Sequence, residues 1–428
     1  MTDNIPLPEM SVTEAIAVLD GEPVETRLER RSAGLSQTGR LAEPLRTDRP
    51  YPPYDKALMD GFAIKASEVD GDRREFEVVG DASAGTLVTG WQPGDAIRIA
   101  TGAPLPPGTD AIVPIERCKV HHRPGIAPGE WIGLDRVTVQ GDVNAGDAIA
   151  PEGSDRPAGA TILPTGSRLT GGTATAATAV AHEAAVFRKP RVLVLCTGTE
   201  VVHDGQTPGR YQTRNSIGEP VRRLLAAMGC VTVRYRHTLP DVREILYREI
   251  ERALQRKAIG GDALVLTGGM SMSRHDHIPS LLKSFGFEFR INKLRIRPGK
   301  PFVFAVLPAE KSNTGRPRYA FGLPGNPVSA FVCTLRLASR LLIRLGGGDP
   351  SKEMPLLPMP LAAPLEKANG PREFYQPCRL DEAGVHPLAW RGSADVFTLA
   401  QADALLVRPE QDPPHAAGEL VKVLPIPR

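Results

Sequence analysis

At Lys189-Pro190 the sequence changes character. Arg191-Val-Leu-Val-Leu-Cys196 is a continuous apolar run that breaks into the small-residue stretch Thr197-Gly198-Thr199-Glu200. A helix is expected over 217–228, a strand over 231–235 and a helix over 242–258. A second apolar strand, Ala263-Leu-Val-Leu-Thr267, then runs into Gly268-Gly269. Strands that are apolar at every position, alternating with helices, predict a mostly parallel sheet covered on both faces.

The flanking segments read differently. Ser11-Val-Thr-Glu14 is a capping box that opens a helix. Residues 35–53 read as an extended connector. The stretch 76–140 is all β, punctuated by Pro93-Gly94-Asp95 and Pro107-Gly108-Thr109. An Ala/Thr-rich helix is expected over 170–186. The run from Phe287 to Leu307 predicts a hairpin turning near Pro298-Gly299, followed by a long helix from Val328. Short strands and prolines return after Pro355 and suggest a small β-barrel or sandwich. At 428 residues the chain has room for two to four domains.

Charge and cysteine usage exclude whole classes. Lys+Arg 52 against Asp+Glu 49 leaves a net charge of +3, with no global field for nucleic acid or an anionic membrane. Cys118, Cys196, Cys230, Cys333 and Cys378 are scattered and odd in number, which argues for reduced core thiols rather than a disulfide framework. His121-His122 and the His275/His277 pair lack the second cluster that zinc would need. No signal peptide is legible at the N-terminus, and no apolar stretch approaches the ~20 residues that span a bilayer. A cytoplasmic protein is expected.

Chemistry concentrates at a few junctions. Glycines at the carboxyl ends of strands let backbone N–H groups approach an oxyanion. Such a junction is also ordinary turn punctuation. Two of them in one sheet, each followed by an acid (Glu200; Asp276), favour a phosphate site with Mg²⁺ on oxygen ligands. Ile296-Arg297-Pro298-Gly299-Lys300-Pro301 places two cations about a rigid turn, with Lys293 just upstream. Charges on such a hairpin are usually a solvated face, but the fixed turn would let them converge on an anion. Gly322-Leu-Pro-Gly-Asn-Pro327 is rigid at Pro324 and Pro327 and opens the long helix, whose start can also face an anion.

Six segments in register carry a resemblance: PPYDKALMDGFA (52–63), RIATGAPLPPGTDAIV (98–113), CTGTEV (196–201), TGGMSMSRHD (267–276), IRPGKPF (296–302) and GLPGNPVSAF (322–331). Together they resemble the molybdopterin molybdenumtransferase family, MoeA and the gephyrin E domain, over nearly the whole chain. The resemblance implies an elongated homodimer with a multidomain α/β and β fold. A discontinuous N-terminal domain (1–48 and 142–187) would carry a β-rich insertion (49–141). A doubly wound α/β domain like that of the pterin adenylyltransferases (188–348) and a C-terminal β-barrel-like domain (349–428) would follow. The active site would lie between the doubly wound domain and the other subunit.

The resemblance also implies roles, residue by residue. Asp60 matches the essential acid and Thr101 its partner; Glu200, Asp241 and Asp276 match acids around the metal and adenylate. Thr197, Gly198, Gly268, Gly269, Ser271 and Asp155 fall in substrate-binding stretches. Lys293, Arg297, Lys300, Pro301, Pro324 and Pro327 match the basic turn and the GLPGNP turn. Ser329, Arg372 and Ser393 match positions around molybdate. The implied reaction places molybdate on an adenylylated molybdopterin, with Mg²⁺ on the anhydride. Molybdopterin adenylyltransferase and apo-molybdoenzymes are the implied partners besides a second copy of the chain.

The chain departs from the family pattern at Ala150 and Ser154, which stand where an Arg and a Glu are usual, and Arg297 replaces a Lys. The first two leave open a catalytically impaired paralog that binds or stores the pterin cofactor. The preceding adenylyltransferase step is a third reading, disfavoured by the extra β domains.

Overall fold

The computed structural model describes residues 7–32, 39–71, 73–122, 134–202, 205–234, 238–255, 261–269 and 277–427. The chain falls into two compact units. One comprises Met1–Arg30, Thr38–Ala42 and Ala185–Arg428; the other comprises Arg31–Gln37 and Glu43–Ala184.

In the first unit the expected doubly wound sheet is present. Its strands run in the order Val231–Arg234, Arg191–Cys196, Ala263–Thr267, Arg318–Leu323, Val303–Leu307, Glu288–Asn292. The first four are parallel, and Val303–Leu307 runs antiparallel to both of its neighbours. The unbroken apolar runs follow from burial on both faces. Val192 and Val194 pack into one core cluster with Val221 and Leu225 of the helix Gly218–Ala227. Leu193 and Leu195 point the other way, into a cluster with Leu246 and Ile250 of Arg243–Gln255 and Leu281 of Ile278–Ser284.

The long helix forms as Pro327–Cys333, a π-helical turn Thr334–Ala338 and Ser339–Leu345, almost wholly buried. The capping box at Ser11 also forms, with Glu14 N–H donating to the Ser11 hydroxyl and Ser11 N–H to the Glu14 carboxylate.

The expected hairpin forms, Glu288–Asn292 pairing antiparallel with Val303–Leu307, and in its connection Ile296–Arg297 leaves the sheet and pairs in parallel with Glu373 and Phe374 of a second sheet. The buried Ile296 anchors this excursion. The Ala/Thr-rich helix stops at Val180, and Glu183–Phe187 is a strand. The residues that sequence periodicity would keep helical are pulled out by tertiary pairing, Ala42 N–H donating to Ala185 O and Phe187 N–H to Arg40 O.

The second sheet of this unit is the C-terminal β domain, in the order Ile296–Arg297, Glu373–Asp381, Ala404–Arg408, Leu420–Pro425, Leu357–Pro360. None of the five cysteines is disulfide-bonded, and burial pushes the Cys230 and Cys378 thiols up to about 12.

The other unit is built on a six-stranded sheet with Gly61–Ile64 between Ala111–Pro114 and Asp95–Ile99. Gly61 is dictated by packing. A Cβ there would sit 2.1 Å from the Val113 carbonyl oxygen of the neighbouring strand.

Candidate active site

The parallel strands end in register. Cys196 lies opposite Thr267, and Thr267 opposite Leu323. The residues that follow, Thr197, Gly268 and Pro324, therefore emerge as one row along the carboxyl edge of the sheet, where a doubly wound fold binds its ligands. Thr197 N–H donates to Thr267 O at 2.8 Å and Gly198 N–H to Leu239 O at 3.0 Å, which fixes the first loop. Gly268 has φ +86, and a Cβ on it would meet the Thr197 carbonyl oxygen at 2.6 Å and Oγ1 at 2.7 Å. No side chain fits there.

Two buried oxygens in this row have no hydrogen-bond partner among the described residues: Thr197 Oγ1 and Asp241 Oδ1. Both face Gly269, at 3.5 and 3.9 Å from where its Cβ would be. The other carboxylate oxygen of Asp241 accepts from Thr199 N–H at 3.3 Å, while Asp241 N–H donates to the Thr199 hydroxyl at 3.2 Å. Asp241 thus latches the first glycine loop and keeps one oxygen without a partner among the described residues. Buried polar atoms are normally satisfied. An unsatisfied hydroxyl and carboxylate side by side at a strand-end row mark a place for a ligand or cation. Glu200 is exposed in the same loop, its carboxylate 3.1 Å from the Cβ position of Gly198. Ser271 and Asp276 lie outside the described residues.

A second group of expected residues gathers about the start of the long helix. Pro324 is buried, and a Cβ on Gly325 would lie 4.0 Å from the Gly268 Cα. Pro327 opens the helix, and Val328 N–H donates to Ser393 O at 3.1 Å, bringing the GSAD segment to the GLPGNP turn. Ser329 is buried in the first helical turn. The IRPGKP turn rests on the same helix through a Cys333 thiol–Gly299 carbonyl contact of 3.6 Å. Lys293 takes φ +70 at the start of the excursion, and Pro301 returns it to the sheet.

The cations on this turn differ in their surroundings. Lys300, half exposed, pairs with Glu9 at 3.1 Å. Arg297 lies over the Phe374 ring. Arg372 is exposed just before that strand, with its carbonyl held by the Asn369 amide at 2.8 Å. An open recess of about 470 Å³ borders this region, lined by Arg391, Gly392, Ser393, Ala394, Asp395 and Phe397. Sequence reasoning missed Glu9, Phe374 and Trp390. The Phe lay inside the PREF stretch, but nothing in its spacing says that it stacks on a cation.

In the other unit, Asp60 and Thr101 meet. Thr101 N–H and its hydroxyl donate to Asp60 Oδ1 at 2.6 and 2.9 Å. These bonds, the backbone one first, hold the exposed Asp60 carboxyl below the usual carboxylate range. Asp155 lies in a turn against the PPYD stretch, its N–H donating to Tyr51 O at 3.1 Å, and Glu152 N–H donates to Asp55.

A doubly wound domain with its ligand edge at three joined strand ends, a β-rich insertion and a C-terminal β sheet define a multidomain α/β protein. Comparison with known proteins narrows this class. Residues 10–181 match a family model described as the MoeA N-terminal region (domain I and II), 193–343 a probable molybdopterin binding domain, and 358–426 the MoeA C-terminal region (domain IV).

A protein of Synechococcus elongatus named molybdopterin molybdenumtransferase is 30% identical over 425 residues, covering 97% of this chain and 99% of its own. One of the same name from Synechocystis sp. is 28% identical, over 89% and 90% of the two chains. The fold is that of a crystal structure of a molybdopterin biosynthesis MoeA protein from Pyrococcus horikoshii, with TM-score 0.75 and 24% identity over 98% and 99% of the chains. The chain belongs to the molybdopterin molybdenumtransferase family.

Proposed function

We propose that this chain is a molybdopterin molybdenumtransferase that places molybdate on the dithiolene of adenylylated molybdopterin, cleaving the pterin phosphate–AMP anhydride and releasing AMP. The observation that carries the reading is the unpartnered pair Thr197 Oγ1 and Asp241 Oδ1 at the strand-end row. A hydroxyl there donates to a phosphate oxygen, and a free carboxylate oxygen takes a cation. Phosphoryl chemistry needs positioning and charge neutralisation more than covalent catalysis.

The donor set suits Mg²⁺, a hard cation that takes oxygen ligands. Asp241 Oδ1, the exposed Glu200 and Asp276 would hold it. When bound it would neutralise charge on the anhydride. Arg297, Lys300 and Arg372 would cage the tetrahedral molybdate, and Asp60, kept ionised by Thr101, would orient water or the departing group.

The same proposal takes the chain as a cytoplasmic homodimer divided into the four domains given above. It receives substrate from an adenylyltransferase and hands its product to apo-molybdoenzymes. Among the described residues no helix is long and apolar enough to cross a membrane.

The test is reconstitution. Purified protein with adenylylated molybdopterin, molybdate and Mg²⁺ is expected to release AMP and yield cofactor that activates an apo-molybdoenzyme, and Asp241→Asn to lose both. Tight binding of the adenylylated pterin with no AMP release would overturn the reading in favour of a storage protein.

A further inference from the structure

Arg297 lies over two aromatic rings. Its guanidinium carbon lies 4.6 Å from the Phe374 ring centroid and 5.9 Å from that of Trp390. The two rings are themselves stacked, 5.5 Å apart at 30°. Backbone pairing enforces this arrangement, because Arg297 and Phe374 are direct partners in the parallel ladder and their side chains leave the same face. Yet none of the guanidinium N–H groups donates to a carboxylate or carbonyl among the described residues.

Nearby arginines are satisfied: Arg295 pairs with Glu410 at 3.0 Å and Arg290 with Glu288 at 3.1 Å. A guanidinium held over two rings, with no acceptor for its donors among the described residues, is ordered without being neutralised. Stacking fixes its plane and leaves its N–H edge open. Residues 391–393, just beyond Trp390, line the open recess next to it.

We propose that Phe374 and Trp390 are positioning residues that hold Arg297 as a rigid two-pronged donor for the oxometal anion. Arg297 then reads that anion by fork geometry, not by charge alone. The inference rests on the reading of this turn as the molybdate site and adds the device that makes the site rigid. A lysine has no planar face to lay on the rings and no second prong, so it would keep the charge and lose the geometry. A side chain already ordered before binding loses less freedom when the anion arrives.

Molybdate binding to the full chain, measured calorimetrically, tests this through a double-mutant cycle. R297K is expected to weaken molybdate binding roughly tenfold although the charge is kept. F374L is expected to weaken it about two- to fivefold, the range for a partly exposed cation–π contact. F374Y, which keeps a ring face, is expected to restore near-native binding. In the R297K background F374L should have little further effect, because the ring then has nothing to hold. W390L repeats the cycle from the second ring in case F374L disturbs the strand.

Additive losses, or an R297K variant that binds like the native protein, would overturn the proposal. Failure of the native chain to bind molybdate at all would instead remove the oxyanion reading on which it stands.

Discussion

Thr197→Val separates stability from function at the strand-end row. In the native protein the Thr197 hydroxyl is buried without a partner among the described residues. An unsatisfied buried polar group costs about 1–3 kcal/mol. Valine keeps the branched shape and removes that group. The opposing effect is crowding, since a methyl is larger than the buried hydroxyl it replaces. Overpacking of about 1 kcal/mol is the lower end of what a tight site exacts.

The balance predicts a ligand-free variant that is more stable by about 1 kcal/mol, which raises Tm by roughly 2–4 °C for a domain of this size class. Binding moves the other way. A hydrogen bond to a charged group contributes about 1.5–3 kcal/mol, so AMP affinity should fall by roughly 10- to 150-fold. Thr197→Ser, which keeps the hydroxyl, should retain most of the affinity. Thermal unfolding without ligand and calorimetric titration with AMP measure both arms. A variant that is less stable yet binds AMP normally would refute the reasoning, since the hydroxyl would then be structural.

Other outcomes follow from single contacts. Thr101→Val removes one of the two donors that depress the Asp60 carboxyl, so the acidic limb of the pH–rate profile should shift upward; an unmoved limb would exclude Asp60 as the titrating acid. Gly61→Ala drives a Cβ to 2.1 Å from the Val113 carbonyl oxygen, and at least the ~1–3 kcal/mol of overpacking should open the β-rich unit to protease.

His415 is raised above its ordinary 6.5 first by the bond to Asp412 and then by that to Glu419, against desolvation. Its stabilising contribution is full below that ordinary value and fades as pH rises through the elevated one. His415→Gln should therefore lower the denaturation midpoint at about pH 5.5, by roughly 0.5–1 kcal/mol, and leave it unchanged at high pH.

The doubly wound sheet was legible because each strand is apolar on both faces, as in Arg191–Cys196, and only a sheet covered on two sides buries such a run. The strand-end glycines were legible for a related reason: Gly268 has no room for a side chain. Local sequence failed where distant segments decide. Glu183–Phe187 continues a helical composition and becomes a strand because Leu28–Ser32, Arg40 and Ala42 supply its partners. Ile296–Arg297 reads as part of a hairpin, and its partner in the second sheet lies more than seventy residues away.

At the site, residue types pointed to anion chemistry but not to its arrangement. Asp60 with Thr101 came from motif resemblance, and the aromatic support of Arg297 from neither composition nor motif. Spacing carries no information about which ring a cation will lie on.

The central claim is that one unit of the chain holds two anion sites, a phosphate site at the strand-end row and an oxyanion site at the basic turn. Crystals grown with AMP, Mg²⁺ and molybdate test it most directly. The account predicts the AMP phosphate beside Thr197 and Gly269 and molybdate within hydrogen-bond distance of Arg297. AMP or molybdate bound away from these residues, with Thr197 Oγ1 and Arg297 left bare, would contradict it.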